Sequence, residues 1–257
     1  MILVTGNGAL AQELIKYSSL SWVGMPIISL SKREMDITNE EQVSNTIKKY
    51  MMIPDFPKYI IHTAALTKPM SVNDKNPIMS IDTNIVGTAN IAKMCYKYDI
   101  KFIYISTDFV YDSRTDDEIN EKGSLKPINN YGWSKLGGEC VSHILPNSLT
   151  LRCSLCDIPF RHKAAFDNVY RTPITHKDAA RLILEVKDQT GIINIGGDVK
   201  TVYDFVREHQ DINPITYGGN NSQVTSIKLD TTKLRDINEF EYKSYIYSYI
   251  WHRILFT

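Results

Sequence analysis

Two glycines set between an apolar run and an amphipathic stretch constrain this chain more than any other feature. The segment "ILVTGNGALA" places Gly6, Gly8 and Ala11 directly after Ile2 to Thr5 and at the mouth of a helical pattern from Ala9 to Tyr17. Glycines there permit a tight turn and a close approach of backbone amides to a ligand, and a helix N-terminus favours negative charge. In a strand–turn–helix context the GxGxxA spacing reads as a pyrophosphate cradle for a dinucleotide; the alternative is an ordinary βα turn.

The same alternation of apolar run and helical pattern continues to about residue 152. Apolar runs at Ile27 to Leu30, Tyr59 to His62, Phe102 to Ile105 and Leu149 to Arg152 read as strands, separated by amphipathic stretches at Glu40 to Lys49, Ile81 to Tyr98 and Trp133 to Ile144. Such a βαβα order predicts an α/β fold, a Rossmann-like doubly wound parallel sheet with helices on both faces. Beyond Arg152 the pattern loosens. Thr175 with Asp178 three residues on predicts a helix start, "GIINIGG" a further strand, and Tyr203 to Glu208 a short helix. Residues 1–152 are therefore expected to form the dinucleotide-binding domain. Residues 153–257 are expected to form a small C-terminal substrate lobe interleaved with the last sheet elements. The tail "YKSYIYSYIWHRILF" has helical spacing and is expected to dock on the body, with an oligomer contact as the alternative.

Charge narrows the partners. With 29 basic and 29 acidic side chains in 257 residues, the chain has no electrostatic footprint for nucleic acid or an anionic membrane. No window is apolar for long enough to span a bilayer and no leader pattern precedes Ile2, so a soluble, cytoplasmic protein is expected. Cys95, Cys140, Cys153 and Cys156 are scattered, and the one CxxC pair lacks further ligands at zinc spacing, so no metal is expected.

After the second strand, where an acidic side chain would accept bonds from an NAD ribose, the sequence has "SLSKRE". Ser31, Lys32 and Arg33 favour NADP(H), with NAD(H) left open. Asp36 and Ile37 of "MDIT" are placed at the adenine, or Asp36 is a helix-entry residue. "YISTDFVYD" and "YGWSKLGGE" then bring Thr107 to a strand end and put Tyr131 and Lys135 four apart on one helix face. An ammonium beside a phenol is expected to lower its pKa and make Tyr131 a usable acid, while Thr107 holds a substrate oxygen.

Taken in order, the glycine loop, "MDIT", "IIHTAALT", "DTNIVGTANIAKMC", "YISTDFVYD", "YGWSKLGGE", "LRCS", "RTPITHKDAARLI" and "LDTTKL" make the chain resemble the extended short-chain dehydrogenase/reductase family, and within it the dTDP-4-dehydrorhamnose reductases. The resemblance implies an oxidoreductase that uses NADPH to reduce the 4-keto group of a nucleotide-linked 4-keto-6-deoxyhexose. It makes Thr107, Tyr131 and Lys135 catalytic, and lines the cofactor with Ala64, Ala65 and Asn84 besides Tyr131 and Lys135. Thr67, Asp108 and Arg171 are assigned to the substrate, and Arg161, His162, Lys163 and Arg171 are diphosphate ligands or a solvated basic loop. His62 reads as a packed strand-end histidine. Phe109 stands where sugar dehydratases of the family carry a second acid, which argues against elimination. The segment between Arg152 and Pro173 is shorter than the family's substrate-covering loops. A non-catalytic NADP-binding regulatory subunit and a nucleotide-sugar epimerase or dehydratase are the alternatives, and a homodimer is left open.

Overall fold

The computed structural model describes residues 1–18, 23–67, 71–114, 116–216 and 226–237. The tail assigned to a docking helix lies outside them. Strands β1 (Ile2–Thr5), β2 (Ile27–Leu30), β3 (Tyr59–His62), β4 (Lys101–Thr107) and β5 (Ser148–Cys153) join the edge strand Gly191–Ile195 in one six-stranded sheet. Its order is Gly191–Ile195, β5, β4, β3, β1, β2, and every neighbouring pair is parallel.

Period-two patterning explains the two cores. Val4, Ile61, Ile103, Ile105, Leu149 and Leu151 point to one face and pack with Leu14 and Ile183. Leu3, Ile60, Phe102 and Tyr104 point to the other and pack with Val43, Ile47, Ile91 and Cys95. All seven residues of β4 are buried, as expected for a central parallel strand covered on both faces. Helices α1 (Ala9–Lys16) and His176–Glu185 cover the first face, and α2 (Glu40–Met51) and Gly87–Lys97 the second.

Side-chain caps mark the helix starts: Asn39 accepts from Gln42 N–H, Asn129 from Gly132 N–H at 2.8 Å, and Thr175 from Asp178 N–H at 3.1 Å. The third long helix begins earlier than periodicity predicts. Asn76 caps a turn at Pro77–Ser80, a π-helical segment runs over Ile81–Val86, and Gly87–Lys97 continues as α-helix. Proline at the first position suits a helix start, which apolar spacing alone does not register.

Beyond β5, apart from the edge strand Gly191–Ile195, the described strands form short two-stranded pairs. Leu155–Cys156 pairs with Ile174–Thr175, Ala164–Phe166 with Asn213–Ile215, and Tyr170–Arg171 with Lys200–Thr201. Chain order reverses between β1 and β3, so their carboxyl ends open the crevice where ligands of such sheets bind. Among the described residues no helix is long and apolar enough to cross a membrane.

Candidate active site

A cleft of about 430 Å³ lies at that crevice, lined from Gly6 through Ala11, by Lys32 and Met35 to Thr38, by Thr63 to Ala65, and by Tyr131 and Lys135. Its first wall depends on glycine. Gly6 has φ +83°, and a Cβ there would stand 3.0 Å from the Ala64 Cα. Its N–H donates to Leu30 O at 2.8 Å, which ties the loop to β2. Gly8 begins α1 without any side-chain cap, leaving the first-turn N–H groups open to an acceptor in the cleft. Ala11 is fully buried under the loop.

The turn after β2 is charged and partly closed on itself. Lys32 lines the cleft and pairs with Asp36 at 3.5 Å, while Asp36 also accepts from the Thr38 N–H and hydroxyl. The Ser31 N–H and hydroxyl both donate to Glu34. Ser31 and Arg33 lie outside the cleft lining, whereas Asp36 and Ile37 form part of it.

At the end of β3, Ala64, Ala65 and Thr67 line the cleft, and Asn84 stands behind them. The Asn84 carboxamide accepts from Leu66 N–H at 2.7 Å and donates to Leu66 O at 3.2 Å and Ser134 Oγ at 2.8 Å. Nearly fully buried, it braces the loop from the π-helical turn and does not line the cleft. His62 is fully buried, with Nδ1 2.7 Å from Thr5 Oγ1 and Nε2 3.1 Å from Thr88 Oγ1. Thr88 donates its hydroxyl to Asn84 O, so the arrangement suits an Nε2–H imidazole accepting from Thr5. Burial, and after it the Lys135 charge, holds His62 down at about 3. It is a neutral packing residue.

The strand β4 and the Asn130–Ile144 helix meet beside the cleft. The Thr107 hydroxyl donates to Asp108 Oδ1 at 3.2 Å and accepts from Phe109 N–H at 3.3 Å, and Phe109 packs edge-on to the Tyr131 ring at 6.2 Å. Lys135 is 3% exposed, with Nζ 4.2 Å from the centre of the Tyr104 ring. A Cβ at Gly138 would collide with the Tyr104 hydroxyl, and without one that hydroxyl reaches Lys135 O at 3.0 Å. Burial lowers the Lys135 pKa to about 7 against the raising influence of Glu139. The expectation that Lys135 lowers the Tyr131 pKa is corrected. Burial raises the phenol above its usual range, Thr107 offsets part of that, and the ammonium turns to Tyr104.

Asp108 and Arg171, both assigned to a substrate, are bound to one another by a close ion pair, and Arg171 stacks on Phe109 at 4.6 Å. Neither lines the cleft; of Arg161, His162, Lys163 and Arg171, Arg161 alone does, while the His162 ring packs on Phe160. Sequence reasoning missed Ser106 and His176, which line the cleft. Ser106 had a signal, since it stands beside Thr107 in "YISTD", whereas nothing in the spacing marks His176. Among the described residues no cluster of His, Cys, Asp or Glu is arranged to hold a metal. The arrangement joins an anion-accepting loop, a protonated phenol and a neighbouring cation, the parts needed to protonate an oxygen beside a bound dinucleotide.

A family model described as RmlD substrate binding domain matches residues 1–191. A probable low-salt glycan biosynthesis reductase of Haloferax volcanii is 32% identical over 130 residues, covering 50% of this chain and 41% of that protein. A dTDP-4-dehydrorhamnose reductase of Mycolicibacterium smegmatis is 30% identical over 141 residues, covering 54% of this chain and 40% of that one. The matches thus span less than half of these relatives' own lengths. Among solved structures, the dTDP-4-dehydrorhamnose reductase of Bacillus anthracis, in complex with NADP, superposes with a TM-score of 0.79 at 21% identity over 91% of each chain.

Proposed function

This chain belongs to the RmlD substrate-binding domain family, and we propose that it is an oxidoreductase which reduces the 4-keto group of a nucleotide-linked 4-keto-6-deoxyhexose with NADPH. The observation that carries the reading is the one cleft that Gly6 and Gly8 of the glycine loop share with Tyr131 and Lys135. Relatives named as dTDP-4-dehydrorhamnose reductases support the same substrate class.

The residues fit a dinucleotide on two counts. Gly6 takes a backbone conformation and a closeness to Ala64 that other residues would strain, and Gly8 leaves the α1 N-terminus open. Gly6, Gly8, Ala64 and Ala65 would hold the pyrophosphate side, Lys32, Asp36 and Ile37 the adenosine, and Tyr131 and Lys135 the nicotinamide ribose. Lys32 and Arg33 favour NADP(H), the ligand of the Bacillus anthracis reductase, over NAD(H). When bound, it supplies the hydride.

This chain's residues manage the proton. Burial keeps Tyr131 protonated at neutral pH, so its hydroxyl is a donor for the substrate's carbonyl oxygen. Thr107, at the strand end beside it, is assigned to bond the same oxygen. Lys135, whose ammonium lies over the Tyr104 ring, holds the nicotinamide ribose rather than the phenol. Residues 1–152 carry the dinucleotide half of the site and the short-paired segment after β5 contributes its substrate side. Four free cysteines accord with a cytoplasmic setting.

The test mixes purified protein, NADPH and a dTDP- or UDP-linked 4-keto-6-deoxyhexose, with and without a 3,5-epimerase, and follows reduced-nicotinamide absorbance. Oxidation that stops in Tyr131→Phe establishes the reductase. Bound NADPH without turnover replaces it with a non-catalytic cofactor-binding subunit, and tightly held NAD without net NADPH oxidation replaces it with an epimerase or dehydratase.

A further inference from the structure

At the end of β2 the donors that would greet an anion already hold one. The Ser31 N–H and hydroxyl converge on a single carboxylate oxygen, Oε2 of Glu34, at 2.8 Å and 2.6 Å. Two donors aimed at one charged oxygen form a small oxyanion site, stronger than either bond between neutral groups. The next cation, Lys32, is paired with Asp36 at 3.5 Å. These bonds hold the Glu34 carboxyl below the usual carboxylate range, so it is charged at neutral pH. Glu34 is exposed and lies outside the cleft, whereas its neighbours Lys32 and Asp36 line it.

This turn is where α/β sheets of this kind meet the adenosine ribose, and there the two nicotinamide cofactors differ. NADH presents a 2′-hydroxyl, which can donate to a carboxylate, and NADPH presents a phosphate, which a carboxylate repels and which seeks N–H and O–H donors. We propose that Glu34 is a specificity-determining residue: its carboxylate occupies the Ser31 donor pair as an internal stand-in for the 2′-phosphate, so that NADPH must displace it and NADH need not. NADPH preference is thereby weaker than Lys32 and Arg33 alone would make it, and one swinging side chain sets the balance. The inference rests on reading the cleft as a nicotinamide dinucleotide site.

Isothermal titration calorimetry of the wild type, Glu34→Gln and Glu34→Ala with NADPH and with NADH separates the possibilities without any need for turnover. Glu34 is exposed, so both variants are expected to fold, which thermal melting without nucleotide verifies. Loss of the carboxylate should tighten NADPH about tenfold, the scale of one charge-assisted contact, and change NADH by less than about twofold. A merely structural bond that shapes the turn would move both cofactors together. An NADPH-to-NADH affinity ratio unchanged in both variants, with both cofactors bound, overturns the role of Glu34 and leaves the dinucleotide reading standing. Failure of the wild type to bind either cofactor overturns that reading and this inference with it.

Discussion

Arg152 and Glu139 form a forked ion pair behind the cleft, Nη2 to Oε2 at 2.7 Å and Nε to Oε1 at 3.0 Å, with 2% and 6% of their side chains exposed. The pair joins β5 to the Asn130–Ile144 helix, and Ser106 of β4 donates to the same carboxylate at 2.5 Å. Removing one partner leaves the other charge buried without compensation. Glu139→Gln is therefore expected to destabilise the fold by about 3–5 kcal/mol, read from denaturant unfolding. A loss below about 1 kcal/mol would mean that the site's framework does not depend on this pair.

The same substitution should move a titration. Burial holds Lys135 at about 7, and the Glu139 carboxylate is the main charge that raises it. Reduction needs Lys135 charged and Tyr131 protonated, so both requirements fail on the alkaline side. We expect kcat for ketosugar reduction to fall as pH rises through about 7, with the Lys135 value setting the limb. In folded Glu139→Gln the limb should shift to lower pH, because the charge that favours the ammonium is gone. A shift to higher pH would contradict the assignment.

Thr107 and Tyr131 make separable contributions. Tyr131→Phe removes the transferable proton and should lower kcat by about 10²- to 10⁴-fold. Thr107→Val leaves that proton in place but removes the hydroxyl bonded to Asp108 and the Phe109 N–H, and should cost less than Tyr131→Phe. Thr107 is not assigned to the cofactor, so NADPH affinity by titration should stay within about threefold in Thr107→Val, whereas Tyr131→Phe should lower kcat by far more than it weakens NADPH binding through the nicotinamide ribose. A loss of binding in Tyr131→Phe as large as its loss of kcat would show that Tyr131 holds the cofactor rather than the proton.

Much of the fold and site was readable because it rests on short-range chemistry. Apolar runs located the sheet strands, and the period of two along each strand explains why Leu3 and Val4 enter opposite cores. Tyr131 and Lys135 share the cleft as their spacing of four on a helix requires. The features that escaped depend on contacts between distant segments. No local pattern announces that Lys135 turns toward Tyr104, that Arg171 closes on Asp108, or that a π-helical turn aims Asn84 at the Leu66 backbone. The direction of the Tyr131 shift was misread for the same reason: helix spacing places a neighbouring cation, but burial depends on what the rest of the chain packs above it.

His62 should make the protein sensitive to acid. Its value in the fold is about 3 against an ordinary 6.5, so between those values the unfolded chain binds a proton that the folded one refuses. Stability from this group is therefore complete above about pH 6.5 and declines as pH falls toward 3. Unfolding free energies measured across that window should fall more steeply in the wild type than in His62→Asn, although the variant starts less stable because Thr5 and Thr88 lose a partner. Parallel curves would mean that His62 is charged in the native state.

The glycine loop offers a way to separate what the fold demands from what a ligand demands. Gly6→Ala forces a side chain into φ +83° and brings its Cβ to 3.0 Å from the Ala64 Cα, so it should cost about 1–3 kcal/mol of stability and weaken dinucleotide binding as well. Gly8→Ala is different. Its φ of −77° and ψ of −177° suit any residue, and a Cβ there meets no protein atom within 4 Å. Unfolding should change by less than about 0.5 kcal/mol. Yet the new methyl stands at the open N-terminus of α1, where a pyrophosphate would approach the backbone, so NADPH affinity should drop about tenfold or more, a loss of about 1.4 kcal/mol. Calorimetric titration beside a melting curve decides it: full stability with weakened binding assigns Gly8 to the ligand, and full stability with unchanged binding moves the pyrophosphate elsewhere in the cleft.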